Sequence, residues 1–389
     1  MDELGRIRGR RIHFAGSANQ TVDKSKISYT QDLVKQLTNG ILSQGGGLVV
    51  SVGAEPTHRD DPTIPLIFDW TVLETVVERL KTSSLNWPKT QGLPVIAVGL
   101  PGWKEKIPDR RKPIWERVLS TGFVELEQIP TGLSLGGILR EQQERFGDIL
   151  VAIGGGPGVR HLADLYISHS KHVLPLNVPL KVEKEGASEE LYVKAMENPE
   201  RFLEYIPTEE ASAALSKLSL KNGLPRISEF EGKFLNFLSH LTGPKVFYIR
   251  SLNNKMPEYD IIEKFFRNVV DPVVRDSGYE RFEVSTDVSN EAFLNVEIFR
   301  KLHSSSLVIA DLTGLRPNCF MEMGYAFGQA KKVIMTVQDG TKLPFDSASI
   351  PCHFWSTLLR DEERKKAFEA FMIKNINRKP LVSLSRSYL

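Results

Sequence analysis

The stretch SLVIADLTGLRPNCFMEMGYAFGQAKKVIMTV, residues 306–337, switches between two kinds of regular structure and sets the pattern for the rest of the chain. Leu307-Val308-Ile309-Ala310 is a short apolar run with β-branched residues at its centre, which reads as a buried strand. It ends in Asp311. A polar turn with Thr313, Gly314 and Pro317 follows, and Asn318 is placed to cap the next helix. Glu322 falls in the early turns of that helix, and Val333–Val337 supplies a second apolar strand that closes a β-α-β unit. Open α/β sheets bind ligands beyond the carboxyl ends of their strands, where Asp311 and Glu322 both fall. The helix dipole favours a carboxylate near the N-terminus in its charged form. Glu322 is therefore expected to act as an anion, a nucleophile or charge stabiliser, rather than as a general acid. A capping box places its acid three residues after the cap; Glu322 is four after Asn318, so capping does not account for it. On the residues alone, an ordinary helical glutamate and a turn aspartate fit the same pattern.

The segments Ile309-Ala310-Asp311-Leu312-Thr313-Gly314, Pro317-Asn318 and Glu322-Met323-Gly324-Tyr325-Ala326 resemble the nucleoside 2-deoxyribosyltransferase-like and TIR-like superfamily. Its members join a strand ending in Asp to an Asn-Pro-Asn-type turn and a Glu-x-Gly-x-Ala helix. Leu343-Pro344-Phe345-Asp346 is similar to the superfamily's Pro-Phe-Asp segment, and the resemblance covers about residues 245–356. Arg316 stands where Asn is common and Cys319 where an aliphatic residue is common; neither departure touches the acid. The resemblance implies that Glu322 attacks or stabilises the anomeric carbon of a ribosyl group and that Asp311 positions the sugar or base. Ser251, Asn318, Tyr325, Phe345 and Asp346 are read as substrate-binding.

A chain of 389 residues suggests two domains. Its formal net charge of +2 produces no strong field, and no basic stripe with interleaved aromatics marks a nucleic-acid surface. Cys319 and Cys352 lack C-x-x-C spacing, which fits a reducing cytosol without a disulfide framework. His169 and His172 have no third ligand at zinc-like spacing, so no metal site is expected. Met-Asp-Glu-Leu-Gly-Arg at the start has no apolar signal core, and no apolar run reaches the roughly eighteen residues of a membrane span. A cytoplasmic location follows as an expectation.

Upstream, strands alternate with helices, the pattern of a parallel sheet covered on both faces. Arg11–Ala15 reads as a strand entering Gly16-Ser17-Ala18, and residues 28–44 as a helix stopped by Gly45-Gly46-Gly47. Leu48–Val52, Pro94–Val98, Phe123–Leu126 and Val173–Leu176 read as further strands, with helices over Ile67–Leu80, Trp115–Ser120 and Leu135–Phe146. Residues 57–63 and 101–113 read as loops, the second a lid or a surface excursion. Ile149–Ile153 runs into Gly154-Gly155-Gly156-Pro157-Gly158 and then a helix from Val159. Successive glycines let backbone amides approach a phosphate at a helix N-terminus, and Arg160 in the first turn can fork onto its oxygens. A tight strand-to-helix turn explains the glycines equally well.

Ile12-His13-Phe14-Ala15-Gly16-Ser17-Ala18 and Val151–Val159 resemble the SLOG superfamily (LOG and Smf/DprA-like Rossmannoid domains), in particular the branch that accompanies TIR and sirtuin-like effectors, over about residues 10–180. The phosphoribohydrolases of that superfamily carry Gly-Gly-x-Gly-Thr-x-x-Glu; here Val159 replaces the Thr and Leu162 the Glu, so the hydrolytic acid is missing. The resemblance implies a domain that senses a nucleotide second messenger through Gly16, Ser17, Gly155, Gly156, Gly158 and Arg160.

Residues 189–220 are helical in pattern with breaks at Pro199 and Pro207, and Ile227–Leu241 is an amphipathic helix stopped by Gly243-Pro244. Such connecting helices more often pack on a sheet than pass a signal. Beyond them, Lys245–Arg250 and Phe282–Val284 read as strands, and Glu258–Ser277 as a helix that Pro272 kinks or splits. Asn290–His303 reads as a helix, Gly340–Ile350 as loop and the remainder as a charged helix and tail.

The expected architecture is α/β: two Rossmann-like domains, each a mainly parallel sheet flanked by helices, joined by a helical connector. The boundaries are 1–185 for the SLOG-like sensor, 186–243 for the connector and 244–389 for the TIR-like effector. The expected activity is cleavage of an N-glycosidic bond in bacterial defence, with NAD as substrate rather than cofactor. The expected assembly is a homo-oligomer, with neither membrane nor nucleic acid as partner. Two alternatives stand beside it. One is a nucleoside or nucleoside-monophosphate glycosidase or deoxyribosyltransferase; the other is a non-catalytic nucleotide-binding scaffold.

Overall fold

Strands buried on both faces need continuous apolar sequence, and Ile149–Gly154, ILVAIG, is buried at every position. It is the seventh of eight strands in the first half of the computed structural model, which describes residues 7–80, 85–129, 135–181, 186–203, 206, 208–221, 223–241, 243–282, 291–344 and 350–378. The strands are β1 (Arg11–Ser17), β2 (Gly47–Val52), β3 (Thr57–His58), β4 (Asp61–Pro65), β5 (Val95–Gly99), β6 (Val124–Gln128), β7 (Ile149–Gly154) and β8 (His172–Leu176). The helices are α1 (Lys24–Ser43), α2 (Asp69–Leu80), α3 (Trp103–Lys106), α4 (Lys112–Ser120), α5 (Leu135–Phe146), α6 (Pro157–Ser168), α7 (Ala187–Glu197), α8 (Pro199–Phe202), α9 (Thr208–Lys217) and α10 (Ile227–His240). Six strands form one parallel sheet in the order β6-β5-β2-β1-β7-β8. The winding direction reverses between β1 and β7, and doubly wound folds take their ligands at such a reversal.

Leu191 and Ala195 of α7, Phe202 of α8, Leu215 of α9 and Phe230 and Phe234 of α10 are buried in the same core as Ile12, Val50 and Val151. The connecting helices thus pack with the first sheet, the plainer of their two expected roles. The fold divides into two units, one of Met1–Trp87 with Leu93–Thr242 and the other of Pro88–Gly92 with the described chain from Gly243 onward. Two expected loops are ordered. Residues 57–63 contribute to the antiparallel β3–β4 hairpin, where Asp61 accepts the Thr63 amide at 3.0 Å. Residues 101–113 hold α3, a short 3₁₀ turn and the start of α4, pinned by Trp103 packing edge-on against Trp115 at 5.1 Å.

The second unit contains β9 (Lys245–Ile249), α11 (Tyr259–Phe265), α12 (Asp271–Asp276), β10 (Glu280–Arg281) and α13 (Glu291–Ser304). It continues with β11 (Leu307–Asp311), α14 (Pro317–Gly328), β12 (Lys332–Gln338), β13 (Cys352–Trp355) and α15 (Asp361–Asn375). All five strands are parallel, in the order β10-β9-β11-β12-β13. Pro272 splits its helix as expected: Phe266–Val270 is a π-helical turn between α11 and α12. Proline offers no N–H to the carbonyl four residues earlier and its ring crowds that carbonyl, so the helix widens there. The strand expected at Phe282–Val284 lies earlier, at Glu280–Arg281; residues 283–290 fall outside the described residues. β13 has no counterpart among the expected strands. One face of this sheet buries Tyr248, Ile309 and Trp355 with Phe265 and Phe368, and the other buries Phe247, Val308 and Met335 with Met323 and Ala326 of α14. No described helix is long and apolar enough to cross a membrane.

Candidate functional site

The carboxyl ends of β9 and β11 lie side by side in the second unit, and the loops leaving them meet. Arg316 donates to the Met256 sulfur at 3.4 Å, and a Cβ on Gly314 would come within 3.6 Å of the Glu258 carboxylate. Gly314 and Leu315 have φ of +78° and +50°, and a non-glycine residue in this region marks strain. The strained turn delivers the chain into α14. Pro317 opens that helix with Arg316 at the cap position, so Asn318 is an exposed second-position residue and not the cap.

Asp311 is 1% exposed and both its oxygens are engaged. Oδ1 accepts the Thr313 amide at 3.0 Å; Oδ2 accepts Thr336 Oγ1 at 2.7 Å and Trp355 Nε1 at 2.9 Å. Burial raises its pKa, and these hydrogen bonds oppose the shift. The side chain ties β11 to β12 and β13 and presents no unoccupied carboxylate edge.

Glu322 differs. It is half-buried on α14, and among the described residues nothing hydrogen-bonds to it or pairs with it. Burial pushes its pKa up to about 7. The shift is opposite in direction to the one expected of a dipole-stabilised anion. Glu322 is the sixth residue of the helix, beyond the first turn where the dipole acts, so desolvation decides. Cys319, one turn earlier, is raised to about 12 by burial and then by the charges of Glu322 and Asp311. Ser251 is buried at the end of β9. Tyr325 sits a turn beyond Glu322, its ring edge-on to Phe299 of α13 at 5.0 Å. Phe345 and Asp346 lie outside the described residues.

In the first unit, the glycines named from sequence converge at the reversal of the sheet. A Cβ on Gly16 would lie 1.7 Å from the Ile153 carbonyl oxygen, so β1 and β7 approach closely only because the residue is glycine. Gly155, at φ +75°, donates its amide to the Ser17 carbonyl at 2.8 Å. Among the described residues the Gly156 and Gly158 amides have no acceptor. Arg160 pairs with Glu190 of α7 at 2.6 Å. Two further cations stand at the loop: a Cβ on Gly156 would be 3.9 Å from Lys181 Nζ, and one on Gly158 would be 3.4 Å from Arg140 Nη1.

Sequence reading missed Lys181, Arg140 and Glu190, because no local spacing links a helix-face residue to a loop far along the chain. It also missed Asp69, which accepts the Ser51 amide at 2.6 Å and is pushed up to about 6 by burial. Ser51 in turn accepts Gln143 Nε2 at 2.6 Å. Among the described residues no group of His, Cys, Asp or Glu is placed to hold a metal ion.

The family model described as ATP nucleosidase Cap17-like, N-terminal, matches residues 7–225, more than half of the 389. The chain belongs to that family. Two proteins named ATP nucleosidase Cap17, one from Escherichia coli strain KTE188 and one from Escherichia coli, are each 25% identical to this Cap17-like chain over 169 residues. The matched region is 43% of this chain and 32% of each relative, so the chain spans about a third of the length of the curated relatives it matches. A solved structure described as DNA processing protein A from Helicobacter pylori, studied for its single-stranded DNA binding mode, aligns with a TM-score of 0.34 and 11% identity. It covers 60% of this chain and 86% of that one. The family match takes in the glycine loop, Arg160 and Glu190; Glu322 lies beyond it.

Proposed function

We propose that this Cap17-like protein is a bacterial defence effector that binds a nucleotide at the glycine loop of its first unit and cleaves an N-glycosidic bond with Glu322 of its second. One observation carries the reading. A half-buried carboxyl with no hydrogen-bond or ion-pair partner among the described residues, raised to about 7, stands on the helix that follows β11 and a strained turn. In N-glycoside hydrolysis the bond from the anomeric carbon to the base nitrogen breaks, the electron pair leaves with the base, and positive charge develops on the sugar. Ionised, Glu322 stabilises or captures that centre; protonated, it supplies the proton that a departing adenine takes up, whereas the cationic nicotinamide ring of NAD leaves as a neutral base without one. Water then adds to the anomeric carbon and gives up a proton. Asp311 acts at one remove, by holding the strand ends from which α14 departs.

The substrate class is a nucleotide. The superfamily resemblance favours NAD, and the name of the relatives, ATP nucleosidase, favours ATP. The deciding experiment offers the purified chain both, with nucleosides as controls, and follows nicotinamide and adenine release by wild type and Glu322→Gln, with and without cyclic nucleotides. Release that depends on Glu322 supports the reading; no release under any condition returns the protein to a binding scaffold. A second reading places catalysis in the first unit, which the family model covers, with the buried Asp69 as its acid. Loss of release in Asp69→Asn with full activity in Glu322→Gln selects it. Homo-oligomerisation belongs to the same reading, and sedimentation of an active, nucleotide-bound monomer would remove it.

A further inference from the structure

The glycine loop at the reversal of the first sheet is covered by its own chain. Ser188, fully buried, accepts the Gly154 amide through its Oγ at 2.7 Å. The Ala187 amide donates to the Gly155 carbonyl at 3.2 Å. Glu190 Oε2 takes Arg160 Nη1 at 2.6 Å. The approach is close: a Cβ on Gly186 would lie 3.4 Å from the Gly154 Cα. An oxygen accepting a glycine-loop amide and an anion on the arginine of the following helix are the two kinds of contact a phosphate makes at such a loop. Here one turn of α7 supplies both.

We propose that the first turn of α7 is a built-in surrogate for an anionic ligand. Ser188 and Glu190 hold the crevice between β1 and β7 closed, and a phosphate-bearing nucleotide enters by displacing Glu190 from Arg160, a proposal that rests on the nucleotide reading given above. The exchange is physically reasonable. Arg160 and Glu190 are 36% and 37% exposed, and an ion pair so wet holds weakly. An incoming phosphate replaces one carboxylate with several oxygens. It also meets Lys181 and the Gly156 and Gly158 amides, none of which Glu190 reaches in the closed arrangement. Glu190 thereby sets a selectivity threshold: a ligand without a strongly anionic group gains nothing at Arg160 with which to displace it. Once Glu190 leaves, Ser188, Ala187 and the Glu189 carboxylate, which accepts the Gly186 amide at 2.7 Å, still hold the start of α7, and Leu191 keeps the helix in the core.

The test uses the full chain and ATP as probe. Glu190→Gln should tighten ATP binding about three- to fivefold at low salt, the scale of an exposed ion pair. The gain should vanish in an Arg160→Gln background. Without any nucleotide, Glu190→Gln should also speed deuterium exchange at the Ala187 and Ser188 amides, and ATP should do the same to the wild type. Wild-type binding of ATP with no change in affinity or exchange in Glu190→Gln would overturn the surrogate while leaving the nucleotide site standing. Failure of wild type and Glu190→Gln alike to bind ATP would bring down the nucleotide reading itself, and the surrogate with it.

Discussion

Glu322 keeps a proton that an ordinary glutamate would have lost, and the cost can be measured. Its carboxyl ionises near 4.5 when unfolded and near 7 when folded. The unfolded state therefore holds fewer protons between those values, and stability falls as pH rises through them, then levels off above 7. Glu322→Gln removes the penalty. It should leave stability unchanged at pH 4 and raise that of the second unit by up to about 3 kcal/mol at pH 8, read from urea midpoints, while base release is lost. A variant equally stable at both pH values would show that Glu322 is not desolvated. Buried histidines act in the opposite direction. Burial lowers His353, among Phe265, Phe368 and Phe371, to about 4, and His13, in the middle of β1, to about 3. Both fold as neutral rings, so their contribution is complete above about 6.5 and is lost as pH falls. By pH 5 each costs about 2 kcal/mol. His353→Phe should flatten the acid sensitivity of the second unit between pH 6.5 and 4 in the same titrations.

At the scale of elements, single side chains decide which strands stay paired. Asp311 accepts from Thr336 on β12 and Trp355 on β13, so Asp311→Ala leaves two buried donors without partners. We expect a loss of about 3 kcal/mol or more, with exchange accelerating first at the amides of the edge strand β13; unchanged exchange there would remove Asp311 as a strut. Gly16→Ala sets a methyl 1.7 Å from a carbonyl oxygen of β7 and must push β1 and β7 apart. It should cost several kcal/mol, seen as loss of the folded first unit in denaturation. The same elements show what the sequence made readable. Runs such as Leu307–Ala310 and Ile149–Ile153 announce buried parallel strands, because both faces must be apolar. β13 did not announce itself: Cys352-His353-Phe354-Trp355 is four residues long and mixes polar and apolar positions, and its pairing depends on β12 and Asp311. Glu322 was visible as a residue, but its protonation was not, since burial is a tertiary property that outweighed the local dipole. Glu190 was invisible as a partner of Arg160 because the pair joins two helices thirty residues apart.

For the whole molecule, the separate cores imply separate cooperativity. The core that gathers Ile12, Val50, Val151, Leu191 and Phe234 belongs to the first unit; Val246, Ile309, Phe265 and Phe368, and on the other sheet face Val308 and Met323, belong to the second. Each sheet is closed by its own helices, so each unit gathers enough buried apolar surface to unfold as a cooperative entity. Thermal or urea unfolding of the full chain should accordingly resolve into two transitions. The variants above assign them. At pH 8, Glu322→Gln should move one transition upward and leave the other in place, while Gly16→Ala should lower or abolish that other one. ATP, if it binds the glycine loop, should raise the transition that Gly16→Ala lowers, in proportion to the logarithm of its concentration over its Kd. NAD bound at Glu322 should raise the other. A single transition that shifts as a whole with both variants would mean that the chain unfolds as one body. A nucleotide that raised the Glu322 transition alone would place the ligand in the second unit and leave the glycine loop as a strand-packing device.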